Sequence, residues 1–176
     1  MTGLGYFTRV GTAFGGNMLP MASKLPSSDV FSWAYESCSA LLCGHWAGPA
    51  PATELSACYQ QLLAAAQAHY GCRFWLLDMQ QRAWHDAAFA QWFGECFAPQ
   101  ASVTLGQPLF IACLVQPGER PQVEAQRTGL LLRQVAQYNV FPFYFTSEAD
   151  ARTWLRDQQA GECPPPVPVA RQLVCC

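Results

Sequence analysis

Apolar and polar residues alternate along Val30–Tyr35, with Phe31, Trp33 and Tyr35 on one side of the pleat. That period of two predicts a half-buried strand. Glu36–Ser39 breaks the pattern and Ala40–Trp46 resumes it, so the two runs read as an antiparallel hairpin ended by Gly48, Pro49 and Pro51. The period then lengthens. Over Thr53–Tyr70, Leu55, Cys58, Tyr59, Leu62, Leu63, Ala66 and Tyr70 fall on one helical stripe, and Gly71 suits the residue that ends a helix. Arg73–Met79 is almost continuously apolar, as a strand covered on both faces should be. Asp86 is placed to cap a helix whose stripe is Phe89, Trp92, Phe93, Cys96 and Phe97. Pro99 ends or kinks that helix, and a short further turn reaches Gly106.

Leu109–Val115 is the next buried strand and Gln116–Arg120 a loop. Pro121 suits a first helical turn, and Val123, Leu130, Leu131, Val135 and Tyr138 form a weaker amphipathic helix interrupted by Gly129. Val140–Phe145 is a last strand. Its Pro142 cannot donate to a ladder, which predicts an edge position. Ser147, with Asp150 three residues on, opens a closing helix that turns Ala151, Trp154 and Leu155 inward. The order is two hairpin strands, three helix–strand crossovers and a closing helix. It predicts a single α/β domain over 29–158: a mixed, mostly parallel sheet of about five strands with about four helices. Residues 1–28 read as a disordered leader, or as an over-extended start with Met18 or Met21 the true initiator; Gly15, Gly16 and Asn17 interrupt any signal-peptide core. Residues 159–176 read as a proline-rich tail.

Composition narrows the function. The formal net charge of −2 speaks against a nucleic-acid footprint. Only 12% of residues are charged, so a well-covered sheet and a buried partner surface are expected. No apolar run is long enough to span a membrane. The 9 cysteines include no C-x-x-C pair. Cys58 and Cys96 fall on apolar helix faces and Cys43 and Cys113 inside strands, where thiols act as small hydrophobes. Buried, reduced cysteines point to the cytoplasm and to no metal or cofactor. Phosphate-cradling loops, nucleophile elbows and zinc-protease helices are all missing from the sequence.

The candidate chemistry lies where the strand of RFWLLDMQQR ends in Asp78. In α/β folds the carboxyl ends of strands usually carry the site. Asp78, Gln80, Arg82, Trp84 and His85 form the candidate ligand- or partner-binding surface, together with the start of the helix after Asp86. No catalytic residue is assigned: a base needs a substrate proton or nucleophile in reach, and the residues near His85 offer none. The simplest role for Asp78 is a strand-end carboxylate bonded to loop amides. His45 and His69 are read as structural.

Trp46-Ala47-Gly48 closing the hairpin, Thr53-Glu54-Leu55 opening a helix, WLLD at Trp75–Asp78 and FTSEADARTWL at Phe145–Leu155 together resemble the small bacterial STAS-like domains, related in fold to the anti-sigma-factor antagonists. The resemblance covers 29–158. It implies a non-catalytic regulatory or binding domain acting through the loop after Asp78, as monomer or homodimer, on a protein or a small ligand. One departure is plain. A phosphorylatable member continues from this aspartate to a serine or threonine at the next helix, where a phosphate would add about −1.5 to −2 charges. Here Met79, Gln80, Gln81, Arg82 and Ala83 follow, and the phospho-switch is not carried over. Two alternatives stand beside the binding domain. One is a carrier of a small apolar or anionic ligand, with a pocket between helix 86–97 and the sheet; the other is an enzyme using Asp78 with His85.

Overall fold

The structure, a computed structural model, describes residues 30–82, 87–118 and 128–162. Its elements are β1 (Phe31–Glu36), β2 (Leu41–Trp46), α1 (Ala52–Ala68), β3 (Phe74–Asp78), α2 (Ala87–Trp92), α3 (Ala98–Leu105), β4 (Leu109–Leu114), α4 (Thr128–Ala136), β5 (Val140–Phe145) and α5 (Glu148–Glu162). A π-helical turn, Phe93–Phe97, joins α2 to α3, so the two form one helical stretch. The sheet has five strands in the order β1-β2-β3-β4-β5. β1 pairs antiparallel with β2 and all other pairs are parallel. The predicted α/β class, strand number and crossovers are therefore observed.

Sequential strand order decides where the helices go. Right-handed crossovers that all step the same way deposit their helices on one face. That face holds α1, the α2–α3 stretch and α4, packed on Phe31, Leu42, Trp46, Trp75, Leu77, Ile111 and Cys113. α5 leaves the last strand and covers the other face, setting Ala151 and Leu155 against Leu41, Phe74, Leu76, Ala112 and Leu114. Gly44 is needed under the first helix: a Cβ there would come within 2.9 Å of Leu77 Cδ2 and 3.3 Å of Phe31 Cε2.

Several local expectations are corrected. Tyr70 does not belong to the buried stripe of α1. The helix ends at Ala68, Tyr70 and Gly71 take left-handed φ values of 58° and 70°, and the Tyr70 side chain is 100% exposed. Pro99 does not end its helix; the break in regular α-helix comes just before it. It sits in the first turn of α3, just after the π turn, in which the Ala98 N–H bonds to the Phe93 carbonyl. The extra residue of that wider turn rotates Cys96 off the apolar stripe and into solvent. α4 is described only from Thr128, with Gly129 inside it; Pro121 and Val123 lie outside the described residues. α5 continues to Glu162, past the point where the tail was expected to begin.

Pro142 is on the edge strand β5, as its missing donor requires. The Leu109 N–H bonds to the Asn139 carbonyl at 2.8 Å, and alternation along the ladder then turns the Pro142 nitrogen away from β4. Ser147 Oγ accepts a long bond of 3.4 Å from the Asp150 N–H at the start of α5.

Candidate functional site

Asp78 ends β3 and lies opposite His45, the parallel partner in β2; His45 in turn lies opposite Ser32 in β1. Side chains alternate between the faces of a sheet, so all three stand in one row on the face of α5. His45 Nδ1 is 3.1 Å from Asp78 Oδ2. The other carboxylate oxygen, Oδ1, accepts the Gln80 N–H at 3.1 Å. The Gln80 carbonyl accepts from Gln116 Nε2 at 2.7 Å, which ties the loop after β3 to the loop after β4. Half of the His45 side chain and a third of Asp78 are in water (51% and 32% exposed). Ser32 shares the row but has no side-chain bond to His45.

A second polar group lies one turn of pleat further along. Arg152 of α5 makes a two-pronged pair with Glu36 of β1, Nη1 to Oε2 at 2.8 Å and Nη2 to Oε1 at 2.9 Å. Its Nε donates to Glu148 at 2.6 Å. Ser39 Oγ donates to Glu36 Oε2 at 2.8 Å, and the Cys43 thiol lies 3.3 Å from Oε1. The Arg152 bonds hold the Glu36 carboxyl down at about 2, and the two glutamates raise Arg152 in return. Burial, and then the neighbouring Glu36 charge, push the Cys43 thiol up to about 12. It is a neutral thiol and a poor nucleophile at neutral pH.

Between these two groups runs an open groove, part of a depression of about 890 Å³ that continues round the β1 edge to Trp33, Tyr35 and His69. Ser32 and Ala34 form its β1 side, Cys43, Leu76 and Leu114 its floor, and α5 its far wall. The carboxylates of Glu36, Asp78 and Glu148 outnumber Arg152 and His45 even when both are counted as cations, so the groove is acidic.

The structure brings together only part of the expected surface. Asp78 lines the groove, and Gln80 is joined to it by its backbone N–H. Arg82 lies elsewhere: it is 4% exposed, on the opposite face, with its guanidinium 4.3 Å from the Phe89 ring centre and 5.9 Å from that of Trp46. The loop turns it inward because aromatic faces there receive the cation. Trp84 and His85 lie outside the described residues. Where it is described, the aromatic helix packs its rings against α1 and the sheet. Tyr59 is in ring contact with Phe89, Phe93 and Phe97 at 5.2–5.4 Å, and Phe97 with Trp75 at 6.1 Å. His69, expected to be structural, stacks on Tyr35 at 4.2 Å and also lines the depression. His45, also expected to be structural, is the hydrogen-bond partner of Asp78. The signal for it was available in principle, since two residues at the carboxyl ends of adjacent parallel strands stand side by side. Glu36 and Arg152 carried no such signal, being 116 residues apart.

Among the described residues no group of three or more His, Cys, Asp or Glu side chains is placed to hold a metal ion. No described helix is long and apolar enough to cross a membrane. Comparison with protein-family models, with curated proteins and with solved structures gave no match.

Proposed function

We propose that this chain is a STAS-like binding domain without catalysis of its own, and that it takes its partner on the groove of β1–β3 and the Asp78–Gln80 rim. The observation that carries this reading is the groove itself: polar and charged at both ends, apolar along its floor, and left open by a sheet face that one helix only half covers. Its carboxylates favour a partner that presents basic side chains, so a protein segment fits better than a small anionic ligand. The rim is preorganised, because both Asp78 oxygens and the Gln80 carbonyl are already held by bonds. A cytoplasmic setting with reduced cysteines accords with this role.

The test is cross-linked capture from native lysate with the wild type, His45→Ala and Asp78→Ala. A protein bound in stoichiometric amount by the wild type and lost from both variants supports the reading. Retention by variants with native circular dichroism sinks it. The His45–Asp78 contact also favours a second reading, in which the imidazole acts as a base oriented by the carboxylate, with His45 in the place expected for His85. Turnover in a metabolite screen that disappears in both variants would establish that second reading and overturn the first.

A further inference from the structure

We propose that β1 pairs antiparallel with β1 of a second copy of the chain, joining two sheets into one across a two-fold axis at Ala34. This inference does not rest on the proposed partner, although Trp33, Tyr35 and His69 line the same depression and the second copy would occupy that part of it.

The argument begins with the direction of backbone groups. The Val30 carbonyl accepts the Ala47 N–H at 2.8 Å. In an antiparallel ladder the bonded pairs recur at every second residue. Ser32, Ala34 and Glu36 therefore exchange bonds with β2, while Trp33 and Tyr35 turn their N–H and C=O groups outward. No described strand lies beyond them, because β1 is an end of the sheet. Exposed edges usually carry proline, lysine, a bulge or an inward charge that blocks further pairing. The opposite edge, β5, has Pro142. β1 has none of these. Its sequence is FSWAYE, and its register runs unbroken from Phe31 to Glu36. Its one charge, Glu36, is neutralised by Arg152.

The strand is also complementary to itself. With Ala34 opposite Ala34, Trp33 of each copy faces Tyr35 of the other, and the outward groups close about four new backbone bonds. Two Trp–Tyr cross-strand pairs then form on the helix-rich face, where His69 already supports both rings, at 6.4 Å from Trp33 and 4.2 Å from Tyr35. On the groove face the exposed Ala34 leaves the axis clear. Ser32 meets Glu36 of the second copy, and the two Glu36 positions stay about 14 Å apart along the strands. No like charges are placed opposite each other. The pairing is closed by its two-fold symmetry, which makes a dimer and not a fibre. It also lays the two grooves side by side, so each gains Ser32 and Ala34 of the other copy on its open flank.

The test uses the full chain. Light scattering at micromolar concentration should give twice the 19.4 kDa of one chain. Tyr35→Pro removes an outward N–H that β2 does not use, and should give the single-chain mass. Ala34→Cys offers an independent readout. Residues opposite each other at such a non-bonded position are about 4.5 Å apart at Cα, within disulfide range. Mild oxidation should yield a covalent dimer linked through the two substituted positions, identified by peptide mass spectrometry. Val103→Cys, on an exposed helix position, should not give that link. A wild type at single-chain mass, a folded Tyr35→Pro variant that stays dimeric, or failure of Ala34→Cys to cross-link would each overturn the proposal.

Discussion

Glu36→Gln isolates the charge that fastens α5 to the hairpin. The glutamine keeps the shape of the side chain and one acceptor, and removes the negative charge from the two-pronged pair with Arg152. A carboxyl drawn from 4.5 to about 2 would correspond to about 3 kcal/mol if it were fully buried. It is not buried. The Arg152 and Glu36 side chains are 32% and 34% exposed, and water screens the pair, so about 1 kcal/mol is the reasonable expectation. The sign follows from the direction of the shift. The folded carboxyl is the stronger acid, so its contribution is complete above the ordinary 4.5 and disappears as pH falls through about 2. Urea unfolding followed by tryptophan fluorescence measures this directly. Glu36→Gln should be less stable than the wild type by about 1 kcal/mol at neutral pH, and the gap should close as pH falls toward 2. A gap of the same size at both ends of that range would refute the electrostatic argument. So would a cycle with Arg152→Met in which the two substitutions simply add.

Two further outcomes are expected. Tyr70→Gly should raise the melting temperature, because Tyr70 is fully exposed and sits at φ 58°. Relief of about 1–2 kcal/mol of left-handed strain outweighs about 0.4–1 kcal/mol of added chain entropy, and a lowered melting temperature in calorimetry would contradict the strain argument. In alkylation with peptide mapping of the six described cysteines, Cys38 and Cys96 should label before the other four, Cys58, Cys72 and Cys113 only on unfolding, and Cys43 slowly at pH 8 and faster in Glu36→Gln; equal rates for these six would contradict the assigned burial.

The periodicity of the chain was a good guide wherever one element explained its own pattern. The alternation at Phe31, Trp33 and Tyr35 and the helical stripe from Leu55 to Ala66 both turned toward the same core. It failed where a local geometry changed the count. One extra residue in the π turn was enough to carry Cys96 from the apolar side to solvent. Arg82 misled for another reason: a guanidinium in a polar loop looks solvent-seeking, yet Phe89 and Trp46 offer it aromatic faces. Asp78 was legible because a strand-end acid is visible in one dimension. Its bond to His45 depends on strand register, and the Glu36–Arg152 pair on where the last helix lies across the sheet. Neither is written in any short stretch of sequence.

The groove is a consequence of topology more than of any special residue. Five strands at about 4.8 Å spacing span about 19 Å, whereas one helix covers about 10–12 Å. On the helix-rich face three crossovers close that width. Among the described residues α5 alone lies on the other face, and the apolar residues of β3–β5 draw it to their side: Trp154 lies against Phe110, Phe143 and Phe145. The described elements leave a strip about 8 Å wide over β1 and β2 uncovered. The chain accommodates this by placing Ser32, Ala34, Cys43 and His45 on that strip and leucine and tryptophan on its reverse. Arg152 spans the gap to Glu36, which keeps α5 from sliding further onto the strip. If filling the open face were the sole demand on these positions, larger apolar residues at Ala34 and Cys43 would meet it. Small and polar side chains there, beside a held His45–Asp78 pair, fit the binding surface proposed above better than a face left to be filled.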